Sequence, residues 1–230
     1  MDKLNVFDNN KIRANLDNFL NNKFELKIYS SVDSTNSQAK EYIKKVEKNI
    51  FQNKKAVIFA ADIQQKGRGR KGHNWLSNDP AGIAVSFVFK AKGELTKIPQ
   101  ITAAAGLAVN ETFEKFKLQT KLKWPNDILV NDKKICGILS ELVFDQNREA
   151  FIVIGCGINL NNSNFNAEVQ QTATSYYLEK NKKVDKNLFL SVLIKKMNYY
   201  IENYLNEQRK EIIDKWKKEL DLIGKKIDLK

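Results

Sequence analysis

Two cysteines and one histidine are all that this 230-residue chain offers to disulfide or zinc chemistry. Cys136 and Cys156 show no CxxC spacing and His73 stands alone, so neither structural zinc nor a disulfide framework is expected. No apolar run reaches the ~18 residues that a membrane helix needs. The opening MDKLNVFDNNKIR lacks an apolar centre, which excludes a signal peptide. These absences fit a reduced, cytoplasmic protein with no membrane partner.

What the chain does contain is material for a core. Hydrophobic residues make up 42% and aromatics 10%, enough to exclude global disorder. No internal repeat or low-complexity linker divides it, so one main domain is expected. A net charge of +12 raises the question of nucleic acid. Its lysines, however, are spread along the whole chain among many asparagines, and KNKKVDK and KWKKELDLIGKK read as solvated faces. A basic RNA-binding module remains an alternative that charge alone supports weakly.

The apolar patterns alternate between strand and helix without strict βαβ repetition. KIRANLDNFLNN reads as a helical lead-in with Ile12, Leu16, Phe19 and Leu20 on one stripe. FELKIYSSV reads as a strand, and Thr35–Gln38 as a capping box ahead of a helix over QAKEYIKKVEK. KAVIFAADI and GIAVSFVFKA are strands, and IPQITAAAGLAVNETFEKF is a buried helix. KLKWPNDILV, a turn at Asn131–Asp132 and KKICGILSELVF form a hairpin. EAFIVIGCGINL is one more strand, followed by a surface loop at NLNNSNFN. The chain turns helical from Asn187, and GKKIDLK begins a last strand. A mixed sheet backed by helices follows.

Four short stretches could carry chemistry. GRGRKG (67–72) sets three cations among three glycines directly after a strand. Such backbone can turn amides onto anionic oxygens, and arginine forks match carboxylates and phosphates, so a phosphate-bearing ligand suits it. It is neither GxxxxGK[ST] nor a GxGxxG that opens a helix, and a loose arginine–glycine RNA tether is its other reading. In KWPND, a strand would point Lys123 away from Leu122 and Trp124, and Pro125 would free Asn126 and Asp127 to face a cleft. A plain loop with Trp124 in the core is the alternative. GCGIN lets a ligand approach backbone at Gly155 and Gly157, or is simply a bulge. DSTN gathers hydroxyls and an amide at a helix start, as a polar site or an N-cap would.

In this order, DSTN, QQKGRGRKGxxW, KWPND with KKICGI, and GCGIN resemble the biotin protein ligase family, densely over residues 28–160. The resemblance implies an α+β catalytic domain over 1–220, similar to class II aminoacyl-tRNA synthetases. Residues 1–25 would be a short helical lead-in, and 221–230 the start of a mostly absent SH3-like segment. It implies an ATP-dependent ligase that activates biotin to biotinyl-5′-AMP, releases pyrophosphate, and passes biotin to a lysine of a biotin carboxyl carrier protein of acetyl-CoA carboxylase or a related carboxylase. ATP and biotin are then substrates, and Mg²⁺ accompanies ATP without a dedicated protein metal site.

Position by position, the resemblance assigns biotin to Ser34, Thr35, Asn36, Gln64, Gly67, Arg68, Arg70, Lys134, Gly137, Gly155 and Gly157. It assigns the nucleotide to Arg70, Trp75, Lys123, Asn126 and Asn159. Arg70, Lys123, Asp127 and Lys134 would act in the chemistry, with Lys123 toward phosphate and Asp127 orienting or deprotonating the carrier lysine. Trp75 would close over the ligand. Only about 25 residues precede the domain, too few for the operator-binding module of bifunctional members, so a short form without specific DNA is expected and a homodimer stays open. A lipoate-type ligase of the same superfold is the nearer alternative, but its RRxSGGG-like run is absent.

Overall fold

In the computed structural model, which describes residues 6–45, 50–72, 74–75, 79–206 and 208–220, the apolar runs assemble into one seven-stranded sheet. The strands are β1 (Phe24–Val32), β2 (Ala56–Gln64), β3 (Ile83–Lys90), β4 (Lys121–Lys123), β5 (Asp127–Val130), β6 (Lys133–Phe144) and β7 (Ala150–Ile158). They lie in the order β1-β2-β3-β7-β6-β5-β4, with β1–β2 parallel and the other neighbours antiparallel. The sheet is mixed and backed by helices, as the alternation of patterns required.

Helices α1 (Asn9–Ala14), α2 (Asn18–Lys23), α3 (Thr35–Lys45), α4 (Ile50–Asn53), α5 (Ile101–Lys115), α6 (Tyr176–Lys180), α7 (Lys186–Leu205) and α8 (Arg209–Glu219) complete the described fold. Strands β2 and β3 are buried almost throughout, which is why they read as continuous apolar runs. One face carries the larger core, where Ile58, Val85, Phe87, Ile152 and Ile154 meet Leu107 of α5 and Phe189 and Met197 of α7. On the other face Val57, Phe59, Val88, Phe151 and Val153 pack against Ala39 and Ile43 of α3. Lys186 is fully buried at the start of α7, bonded at 2.9 Å to Asp62 of β2 and stacked over the ring of Phe7. Burial pulls its ammonium below the usual range while Asp62 opposes that fall.

Several local expectations change. The lead-in is two helices, because the Asp17 side chain caps a new one at Leu20 N. Ile12, Leu16 and Leu20 are buried as the stripe demanded; the Phe19 side chain is not among those described. Thr35 is the first residue of α3 and its hydroxyl points into the protein interior, so it caps nothing; Asp33 instead accepts from Ser34 N and Gln38 Nε2. The hairpin strand at 121–130 is split into β4 and β5 by the turn Trp124–Asn126, which contains a cis Trp124–Pro125 bond. Trp124 is 62% exposed and so is not core. Asn131 and Asp132 both take left-handed backbone, as a tight hairpin turn requires. In the asparagine-rich loop Asn159 and Asn161 are buried, the latter bonded to both backbone groups of Val184. The strand expected at 224–230 lies outside the described residues. No described helix is long and apolar enough to cross a membrane.

Candidate functional site

The alternation of β7 carves a cavity. Its residues toward α3 are Phe151, Val153, Gly155 and Gly157, while Ile152, Ile154, Cys156 and Ile158 face the larger core. Two bulky side chains are followed by two that are missing. Gly157 stands opposite Gly137 of β6, so the bare surface spans two strands. The result is a cavity of about 210 Å³, walled by the first turn of α3, the glycine loop and the turn before β5.

The space above the glycines is in use. A Cβ on Gly155 would collide with the Asn36 amide, and one on Gly157 with the indole of Trp75. The glycine loop closes on itself through Trp75 N donating to the oxygen of Gly67 (2.9 Å) and through the bridge between Arg68 and Asn74. That closure sets Trp75 against the two bare strands and leaves Arg68 and Arg70 at the mouth. Arg70 Nη1 donates to Asn126 Oδ1 (3.3 Å), and Asn126 Nδ2 donates to the oxygen of Ile138 (2.9 Å), so the KWPND turn steers the arginine. Lys134 Nζ lies 2.7 Å from Asp127 Oδ1 and 5.6 Å from the centre of the Trp75 ring.

At the α3 end the groups are neutral. Gln64 Oε1 accepts from Thr35 N (2.8 Å), and Ser86 of β3, fully buried, bonds Thr35 and Asn36. Asn36 Nδ2 donates to Glu141 Oε2 (2.8 Å). Behind them sits Asp33. Burial works against its ionisation, yet the bonds from Ser34, Gln38 and Ser37 and the nearby Arg68 charge hold its carboxyl below the usual range. The cavity is therefore lined by neutral polar groups together with the cations Arg68, Arg70 and Lys134, with Asp127 the one carboxylate among its described lining residues.

Most positions assigned by resemblance converge here: Ser34, Thr35, Asn36, Gln64, Arg68, Arg70, Trp75, Asn126, Asp127, Lys134, Gly137, Gly155 and Gly157. Gly67 lies behind the lining, against the backbone of Trp75. Lys123 is exposed on β4, in register with Asp127 but outside the cavity. Asn159 donates to the oxygen of Thr174 (3.0 Å) and borders an adjoining cavity of about 360 Å³. That second space shares Asn74, Trp75 and Lys134 with the first and is lined further by Phe165, Val169 and Ala173. Sequence reasoning missed Asn74, Leu139, Ser86 and Glu141. Only Ser86 left a signal, as the lone hydroxyl in an apolar strand run.

The site can grip an elongated anion but supplies no thiol nucleophile. Burial pushes the Cys156 thiol up to about 12 and that of Cys136 well above its usual range. Among the described residues no group of three histidine, cysteine or acidic side chains could hold a metal.

Comparison with known proteins agrees with this geometry. Residues 29–159, more than half of the chain, match the biotin/lipoate A/B protein ligase family. The bifunctional ligase/repressor BirA of Bacillus subtilis is 38% identical over 133 residues, covering 56% of this chain and 41% of that protein. Its counterpart from Escherichia coli is 27% identical over 199 residues, covering 86% and 60%. The chain thus spans less than two thirds of the curated relatives it matches. A biotin protein ligase from Aquifex aeolicus, solved with biotin and ATP, superposes with a TM-score of 0.71 at 28% identity, covering 86% of this chain and 78% of that one. With the motifs, the cavity and the matched span in agreement, the chain belongs to the biotin/lipoate A/B protein ligase family.

Proposed function

We propose that this protein is a biotin–protein ligase. The observation that carries the reading is the lining of one cavity: neutral hydrogen-bonding groups at Ser34, Thr35, Asn36 and Gln64, with Asn36 over Gly155; bare glycine backbone; Lys134 over Gly137; and Arg68 and Arg70 from the glycine loop. A molecule with a polar, uncharged ring at one end and a carboxylate at the other finds partners for both among these groups. The Aquifex relative that superposes on the chain was solved with biotin and ATP.

The chemistry follows from the placement. A biotin carboxylate and the α-phosphate of ATP are both anions, and fixed cations beside both are what permits their approach. The carboxylate oxygen attacks α-phosphorus, the bond to the bridging oxygen breaks, and pyrophosphate leaves. Arg68 and Arg70 bear on carboxylate and phosphate oxygens, and Lys134 on the acyl phosphate. Lys123, beside Asp127 on the next strand, serves the phosphates from outside. The adjoining cavity, with Trp75 and Phe165 among its lining and Asn159 at its border, would receive the nucleobase against those rings. Mg²⁺ would travel on the phosphate oxygens of ATP.

In the second half-reaction a carrier lysine amine attacks the biotinyl carbonyl and AMP departs. Asp127 is the carboxylate at hand to orient that amine or take its proton. The partner is a biotin carboxyl carrier protein, and the setting is the cytoplasm. Residues 1–220 would belong to the catalytic domain. A homodimer would use the edge of β6 beyond Ile138, which pairs with no described strand on that side and exposes Leu142 and Phe144.

Biotin-dependent exchange of pyrophosphate into ATP tests the activity. Exchange with biotin and none with lipoate is the expected result. Exchange with lipoate alone assigns the chain to the other branch of its family, and none with either overturns the ligase reading.

A further inference from the structure

Ser86, Thr35, Asn36 and Gln64 make three close oxygen–oxygen contacts: Ser86 Oγ to Asn36 Oδ1 (2.5 Å), Ser86 Oγ to Thr35 Oγ1 (2.7 Å) and Thr35 Oγ1 to Gln64 Oε1 (3.1 Å). Only two hydroxyl protons are present to serve them. Gln64 cannot help by presenting its NH₂ here, because Thr35 N already donates to its oxygen at 2.8 Å. Turning the Asn36 amide over would repair the deficit. Its NH₂ would then donate to Ser86, Ser86 to Thr35, and Thr35 to Gln64.

Glu141 prevents that turn. Its Oε2 accepts from Asn36 Nδ2 at 2.8 Å while its Oε1 holds the Lys40 ammonium at 2.7 Å. A carboxylate cannot tolerate an amide oxygen at that distance. Asn36 and Lys40 lie four residues apart on α3, hence on one face, so the single carboxylate spans one turn of the helix. We propose that Glu141, clamped by Lys40, is a positioning residue that fixes the Asn36 amide with its oxygen toward Ser86 and so keeps this end of the cavity one proton short. Thr35, Asn36 and Gln64 all line the cavity, so a bound molecule can supply what is missing. The ligand class selected is one whose head carries N–H donors, as a cyclic urea does. A dithiolane head carries none, so the same device discriminates between the two acyl substrates of the family. This inference rests on the biotin reading.

Glu141→Gln preserves size and removes the charge that pins the amide. Without ATP, calorimetry should show biotin binding weakened roughly tenfold, the scale of one charge-assisted hydrogen bond. The KM for ATP in the exchange reaction should stay as in wild type. Lys40→Met, at the protein surface and safe for folding, should weaken biotin in the same direction by a smaller factor. In protein labelled with ¹⁵N-asparagine, the Asn36 side-chain NH₂ pair, assigned by its loss in Asn36→Asp, should shift in Glu141→Gln before any ligand is added. Unchanged biotin affinity in both variants, or an unmoved NH₂ pair, overturns the positioning role. Wild-type protein that binds no biotin sinks the ligand reading instead, and the NH₂ pair still decides whether Glu141 orients Asn36.

Discussion

Gly157 has ordinary strand backbone, so what it contributes is absence: the Trp75 indole occupies the place of its missing side chain. Gly157→Ala should therefore fold, with a melting temperature near wild type, while the displaced ring no longer covers the cavity. Release of biotinyl-AMP, followed after rapid dilution, should accelerate about tenfold or more, on the scale of one lost buried contact. Asp127 is paired with Lys134 at 2.7 Å, and removing its charge has two effects of opposite sign. Lys134 gains freedom to meet an anion, so adenylate formation in Asp127→Asn should be largely kept. The carrier amine loses its carboxylate, so single-turnover transfer from preformed biotinyl-AMP should slow by roughly 10²–10⁴. Equal loss in both half-reactions would show that Asp127 merely holds Lys134.

Helices α5, α7 and α8 meet around one carboxylate. Glu111 of α5 accepts from Lys196 and Tyr200 of α7 and from Lys215 of α8. Burial opposes its charge, but these three donors bring its carboxyl down from 4.5 to about 2. A depressed carboxyl stabilises the fold above its unfolded pKa and loses that contribution as pH falls toward the folded one. In urea unfolding, the advantage of wild type over Glu111→Gln should be about 1 kcal/mol at pH 7, since Lys196 and Lys215 are partly screened by solvent. It should shrink from pH 4.5 downward and vanish near pH 2. Elements of this kind were readable where burial is strong: β2, β3, β7, α5 and α7 follow from apolar runs whose length and β-branching leave little choice. In KWPND, Pro125 was read as the end of a ladder that frees Asn126 and Asp127, and both do line the cavity; the exposure of Trp124 was not legible, because an aromatic residue in a strand pattern reads equally as core. The motif residues come together around one cavity, and Gly155 and Gly157 were legible as bare backbone at the end of an apolar strand, whereas Gly137 entered only through the resemblance. Glu141 and Asn74 did not show, because neither type nor spacing marks a surface-like residue that a neighbouring element happens to recruit.

Taken as a whole, the sheet is two halves joined by a latecomer. β1–β3 and β4–β6 share no strand pairing with one another; β7 joins them, bonded to β3 on one edge and β6 on the other, although it is the last described strand in the chain. Until β7 is synthesised, both halves present unpaired apolar edges, and two of the three glycines of the floor do not exist. At ~5–20 residues per second, the stretch from the end of β3 at Lys90 to the end of β7 at Ile158 leaves the β3 edge open for roughly 3–14 s. Chains stopped at Arg148 should sediment with aggregates, whereas chains carried through α7 to Leu205 should stay in the supernatant. Translation pace thus becomes part of this protein's folding: slow codons placed between Phe144 and Ala150 should raise the aggregated fraction and leave the sequence and activity of the surviving molecules unchanged.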